Sequence, residues 1–170
     1  TYYVIPQVGG ASDSNAGSKA SPWVTIDKAA NTVAAGDTVY IAGNWTYREL
    51  VTMDTSGTSG NVTSFIADLT GEHTGYGGSV IISAFDSNSA APTRNYCLNM
   101  NGKKFITWQG VVFNGCTGSA NAAVYSGTGS ADNLEGVTFE NCVMIGYTNG
   151  NAINFLCGAA TTPTADGLTI

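Results

Sequence analysis

Twelve carboxylates and six basic side chains are the ionic groups with which this 170-residue sequence could do acid–base chemistry. Glu135 and Asp166 recur at one position of an internal repeat, Gln109 holds that position one repeat earlier, and Glu140 stands just beyond Glu135. Two carboxylates flanking a sugar bond are what glycoside hydrolysis needs, so this set reads either as solvated turn residues or as the remnant of an acidic cleft. No Lys or Arg follows Lys104, and a reaction that builds negative charge needs a cation or dipole where that charge develops. The single histidine, His73, lies in the Gly-rich stretch GEHTGYGG. A general base needs a positioned partner, and none is visible beside it, so it reads as a loop histidine.

The four cysteines are Cys97, Cys116, Cys142 and Cys157, with no CxxC pair and no second metal-type residue beside them, which argues against zinc. Cys116 and Cys142 share a repeat position. Stacked neighbours could meet the Cα spacing of a disulfide, but side chains pointing the same way fit small buried free thiols better. Trp45, Tyr76, Tyr125 and Tyr147 are candidates for stacking on sugar rings, or equally for packing under loops. Asn44-Trp45-Thr46 and Asn61-Val62-Thr63 match the glycosylation triplet. No catalytic, cofactor-binding or metal-ligating set is assigned from these residues.

Composition narrows the class. Charged residues make up 11% of the chain and hydrophobic ones 43%, with net charge -6; that much apolar content is not a disordered composition. Six Lys plus Arg and a pI near 4.4 do not build a stripe for tracking phosphates, so nucleic acid is not the expected partner. No apolar run approaches the ~20 residues that span a bilayer. The sequence begins at Thr1 without a leader, which suggests processing or a piece of a longer chain. The length suits one domain with a real core.

One helix must position the start of the chain. In SPWVTIDKAANTVAAGD, Ser21 or Thr25 can cap the N-terminus, and Trp23, Ile26, Ala30 and Val33 share a face. Gly36 is a natural stop, so the spacing predicts a helix over 23–35. After Gly36 the period changes to that of short strands: DTVYIAG, VTSFIAD, SVIISAF, KFITW, GVVFNGC, GVTFENC and others, separated by Gly, Asn, Asp or Ser. With no further long helix, a doubly wound sheet is excluded.

The strands repeat. GVVFNGC at 110–116 and GVTFENC at 136–142 lie 26 residues apart, and GLTI at 167–170 begins the same phrase. An ungapped alignment puts Phe113, Phe139 and Ile170 in one inward stack, with Val111, Val137 and Leu168 on the same face. A second strand repeats in step: Leu98-Asn99-Met100, Val124-Tyr125-Ser126 and Ile153-Asn154-Phe155. Paired strands recurring with variable loops describe a solenoid. Asn at the turns, as in Asn101-Gly102, Asn114-Gly115 and Asn141, suits left-handed backbone.

SPWVTIDKAANTVAAGDTVYIAGNWTYREL resembles the entry segment of right-handed parallel β-helix proteins of the pectate-lyase-like superfamily, and the resemblance extends over nearly the whole chain. In that family a helix precedes a GDTVYI-type strand and a G-x-Y-x-E-like turn follows, here GNWTYREL with one extra residue. The resemblance implies an all-β right-handed parallel β-helix with an N-terminal capping helix, a single domain over 1–170 with its cap at about 1–36. An end inside the third repeat leads to the expectation that the native chain continues past Ile170 or that another subunit covers this end. In the lyases of the family the resemblance implies several carboxylates gathered for Ca²⁺ and a basic residue to take the proton.

Two functions compete. The first is a structural or adhesive module on an extracellular or virion surface, such as a phage decoration, fibre or tail protein. Its partners would be copies of itself, capsid or other surface proteins, or a surface glycan. Low charge and the lack of a convergent acid–base set favour it, and SFIADLTGEHTGYGGSVIISAFDSN is similar to β-helix proteins of phages and environmental bacteria. The alternative is a secreted polysaccharide lyase or glycoside hydrolase, for which Ca²⁺ enters as a cofactor. Fold alone does not decide between them, and the expectation leans away from catalysis by this segment.

Overall fold

A computed structural model of the chain describes residues 1–88, 91–116, 122–126, 134–145 and 151–154. Thirteen strands and one short helix are present among them: β1 (Tyr2–Val4), α1 (Ile26–Ala30), β2 (Thr38–Ala42), β3 (Trp45–Tyr47), β4 (Val51–Thr52), β5 (Thr63–Asp68), β6 (Val80–Ser83), β7 (Leu98–Asn99), β8 (Ile106–Gln109), β9 (Val111–Asn114), β10 (Ala122–Tyr125), β11 (Thr138–Glu140), β12 (Val143–Ile145) and β13 (Asn151–Asn154). They form three sheets. Sheet I has the order β1-β2-β5-β8-β11, sheet II β12-β9-β6-β3 and sheet III β13-β10-β7-β4. Every pairing between these strands is parallel. From β2 onward the chain visits sheets I, II and III in turn, four times over.

This path follows from alternation. In β2, β5, β8 and β11 the residues Val39, Phe65, Trp108 and Phe139 stand in register and are buried, while Thr38, Ser64, Thr107 and Thr138 face outward and are part-exposed. Phe65 stacks on Trp108 with ring centroids 4.4 Å apart and planes 15° from parallel. In sheet II the inward row is Tyr47, Ile82 and Phe113, continued by Met144. Phe113 meets both Trp108 and Phe139 edge-on across the interior, at 5.6 and 6.0 Å. The core is therefore one space enclosed by the sheets, filled from each by alternate residues.

The second repeated strand keeps its expected register: Leu98 pairs with Val124, and Val124 with Ile153. The first does not. Phe113 and Phe139 do not stack as equivalents, because GVVFNGC enters β9 in sheet II and GVTFENC enters β11 in sheet I. Phe139 lies over Trp108, and Phe113 lies over Ile82. Both phenylalanines are buried as expected, since in each phrase Val and Phe fall two apart on the strand face that meets the core. The two glycines make the same conformation for different neighbours. At Gly110 (φ +72) a Cβ would lie 3.3 Å from the Ala67 Cβ, whereas at Gly136 (φ +66) it would run into the Phe105 ring. Leu168, Ile170 and Phe155 lie outside the described residues.

The entry helix is shorter than 23–35. Of the two possible caps Thr25 is the one used, its Oγ1 accepting from Lys28 N at 3.1 Å, and α1 ends at Asn31. Asn31 donates its side-chain amide to Asp27 O at 2.8 Å, the local competition that makes Asn a poor interior helix residue. Gly36 does adopt left-handed backbone (φ +86). The predicted apolar face survives the shortening: Trp23, Ile26, Ala30 and Val33 are all buried in the core, and α1 packs against β1 and β4. Trp23 contributes from extended backbone instead, bridged to Val4 and stacked on Tyr2 at 4.8 Å. Asn44, Asn101 and Asn141 take positive φ at corners between strands, as their type predicts.

Phe65→Ala should cost about 3–5 kcal/mol, and so should Trp108→Ala. If the two rings stack, the double variant should lose less than the sum by roughly 0.5–1.5 kcal/mol. Denaturant unfolding of the four proteins measures this; strict additivity would refute the register.

Candidate functional site

The acidic side chains are the natural starting point for catalysis, and the fold uses several of those it places as backbone acceptors. Asp13 Oδ1 accepts from Val24 N at 2.9 Å and Thr25 N at 3.0 Å, and its Oδ2 from Thr25 Oγ1 at 2.8 Å. Glu49 receives the first amides of α1, with Oε1 3.0 Å from Ile26 N and Oε2 2.9 Å from Asp27 N. Asp27 returns the contact by accepting from Thr52 N at 2.9 Å. The Tyr47-x-Glu49 pair of the entry motif thus ties the chain after β3 to α1, while Tyr47 donates its hydroxyl to Ala42 O at 2.9 Å.

Burial is the main reason the Glu49 carboxyl is pushed up to about 7 from 4.5, aided by the nearby charges of Asp27 and Asp13 and opposed by the two amides. A carboxyl poised there invites a catalytic reading, but both of its oxygens are committed to α1.

Asp68, buried, organises the loop 69–78. Its oxygens accept from Gly71 N at 3.0 Å, His73 N at 3.0 Å, Thr74 N at 2.6 Å and Thr74 Oγ1 at 2.7 Å. Burial would raise its pKa, yet these donors together hold it below the usual carboxylate range. His73 is a loop residue as expected, stacked on Tyr40 with centroids 3.7 Å apart.

The repeat-derived acidic set is not assembled as aligned. Glu135 is exposed and pairs with Lys104 Nζ at 3.5 Å. Gln109 stands in register with Glu140, not with Glu135, because β8 pairs with β11 one corner away from the repeated phrase. Asp166 lies outside the described residues. Cys116 and Cys142 are not stacked equivalents either: Cys116 follows β9, and Cys142 sits between β11 and β12. Cys97, Cys116 and Cys142 are not bridged by disulfides. Cys157 lies outside the described residues. Of the candidate sugar-stacking aromatics, Trp45 is 44% exposed and Tyr76 38%, whereas Tyr125 is buried and stacks on Tyr96 at 4.2 Å. Tyr147 lies outside the described residues.

What the fold does assemble is a groove of about 200 Å³ on the outer face of sheet II, lined by Thr46, Arg48, Ile81, Ser83, Asn88 and Asn114 among others. A second hollow shares Thr46 and Ile81 and adds Asn44, Trp45 and Ser79. The alternation that sends Tyr47 and Ile82 inward sends Thr46 and Ile81 out to this face. Arg48 lies across the groove with Nη1 donating to Phe85 O at 3.0 Å and Nη2 to Asn88 Oδ1. Held this way, the guanidinium keeps further N–H donors for a ligand. The lining offers hydroxyls, amides and one cation, and no carboxylate. Among the described residues no group of three His, Cys, Asp or Glu is placed to hold a metal ion. Nor is any described helix long and apolar enough to cross a membrane. The groove can bind hydroxyl-rich or anionic ligands, but it lacks an acid–base pair. Sequence reasoning missed Arg48 because its value lies in the loop after β6 that orients it.

No family model and no curated protein matches the sequence. Among solved structures, the chain is similar to a rhamnogalacturonan lyase, with a TM-score of 0.55 and 16% identity over 98% of this chain and 49% of the other. The likeness is one of fold, and the chain spans about half the length of that lyase.

Glu49 and Asp68 should give opposite pH signatures. Glu49, with its pKa raised when folded, contributes stability fully below about pH 4.5 and loses it as pH rises through about 7. The stability difference between wild type and Glu49→Gln should therefore shift against wild type across that window. Asp68, with its pKa lowered, contributes above the ordinary carboxylate range and loses this as pH falls through its folded value. Wild type minus Asp68→Asn should shrink on acidification. Chemical denaturation from pH 2 to 8 checks both signs, the Asp68 change falling below the ordinary carboxylate range and the Glu49 change above it.

Proposed function

We propose that this chain is a right-handed parallel β-helix module that binds a glycan through the outer face of sheet II, on the outside of a cell or of a virus particle. The fold reading is supported by three parallel sheets visited in a fixed order and by the strong right-handed preference of parallel crossovers. In this reading residues 1–36 close the first round, with the buried side of α1 laid over core that no earlier strand covers.

The observation that carries the binding role is the groove around Arg48. A fixed guanidinium among hydroxyl and amide side chains, with exposed Trp45 beside it, suits the hydroxyls, ring faces and carboxylates of a sugar chain. Asp13, Asp27, Glu49 and Asp68 are engaged with backbone amides and Glu135 with Lys104, whereas Glu140 stands exposed on sheet I, away from the groove. The alternative, a polysaccharide lyase or glycoside hydrolase that uses Ca²⁺ in the lyase case, draws on the fold likeness alone. That likeness does suggest rhamnogalacturonan as the first glycan to test.

Calorimetric titration of the chain with rhamnogalacturonan and with a neutral glucan should give binding that prefers the acidic polymer. Arg48→Ala should weaken it at least tenfold, or about 1.4 kcal/mol, with Trp45→Ala reducing it further. Affinity unchanged by Arg48→Ala would refute the groove. Accumulation of unsaturated or reducing ends, with or without Ca²⁺, would favour the enzymatic alternative.

A further inference from the structure

Two of the cysteines not bridged by disulfides meet at one corner of the fold. Cys97 leads into β7 of sheet III, its N donating to Ala123 O at 2.9 Å and its O accepting from Val51 N at 2.9 Å. Cys116 follows β9 of sheet II, on the next passage of the chain. Both are fully buried. The Cys97 Sγ lies 3.2 Å from Gly115 O, against the peptide that joins Gly115 to Cys116. One peptide unit therefore separates the Cys97 sulfur from the Cys116 backbone.

We propose that Cys97 and Cys116 form a disulfide when the chain folds under oxidising conditions, stapling β7 to the end of β9. Cys116 is among the charges that Cys97 senses, consistent with their proximity. The bridge would close the segment containing β8 and β9, so that two successive passages of the chain are joined covalently at the corner between sheets II and III. Cys142, by contrast, donates its Sγ to Trp108 O at 3.4 Å.

The chemistry balances with a small disulfide such as oxidised glutathione. One cysteine thiolate attacks it, forming a mixed disulfide and releasing one glutathione thiolate. The second cysteine displaces the other, so two protein thiols lose two protons and two electrons while one glutathione disulfide becomes two thiols. Timing follows from burial. In the closed fold burial pushes the Cys97 thiol up to about 12, which leaves almost no thiolate to react. Exchange therefore belongs to folding, before the corner closes, and the finished bridge is shielded from reductant.

The test is refolding of the full chain in a reduced/oxidised glutathione buffer, alkylation of remaining thiols, and mass spectrometry of a non-reducing digest. The expected result is a Cys97–Cys116 cross-linked peptide as the main species, with Cys142 and Cys157 alkylated. Loop closure of this size should raise the melting temperature by about 6–12 °C over protein refolded with reductant, and that difference should vanish in Cys116→Ala. Alkylation of both Cys97 and Cys116, glutathione left on either one, or a main bridge involving Cys142 or Cys157 would overturn the proposal.

Discussion

Parallel pairing between successive passages of the chain is the constraint on which the rest of this structure depends. A strand that pairs in parallel with its predecessor needs a crossover connection, and here each connection runs through the other two sheets before the chain returns. The corners are where backbone freedom is needed. Asn44, Asn101, Asn141, Gly110 and Gly136 supply the left-handed conformation, and Phe105 adopts it too (φ 54), with its ring against Gly136. Between corners the chain has only to alternate. That division explains a composition rich in Gly and Asn yet 43% hydrophobic: the small and polar residues turn the chain, and the apolar ones fill the enclosed space.

The same constraint decides where charge goes. An enclosed core filled by Phe65, Trp108, Phe113 and Phe139 has no room for ions, so the described carboxylates lie outside that cluster, several of them at corners and ends. There they meet backbone N–H groups left over by short elements. Asp68 does this for the loop 69–78, and Asp13, Asp27 and Glu49 do it around α1. A five-residue helix has too few internal bonds to hold itself. Its order comes from its buried face and from these acceptors. Acidic residues spent in this way position the scaffold, while the groove on the outer face of sheet II holds one arginine among hydroxyls and amides.

Much of the architecture was legible along the chain. The switch from helical to strand period after Gly36, the inward faces of 111–113 and 137–139, and the pairing of Leu98, Val124 and Ile153 were all visible as periodicity. The candidate groove was not, apart from the exposed Trp45. Thr46 and Ile81 are ordinary strand residues until β3 and β6 lie side by side, and Arg48 is one of six basic residues until Phe85 and Asn88 fix it.

Alternation is local, so the sequence by itself determined which side chains face the core: Gly-Val-x-Phe buries its Val and Phe in whichever sheet it enters. Which sheet that is depends on how many residues each corner and loop consumes, and the loops vary in length. The tertiary structure alone therefore placed GVVFNGC in sheet II and GVTFENC in sheet I, set Phe139 on Trp108, and moved Glu140 beside Gln109. It also shortened the helix that the spacing extended over 23–35, because packing on β1 and β4 and the acceptors Glu49 and Thr25 reward only its first turn. Contacts across the three sheets carry the physical decision in each case, and they have no fixed spacing along the chain.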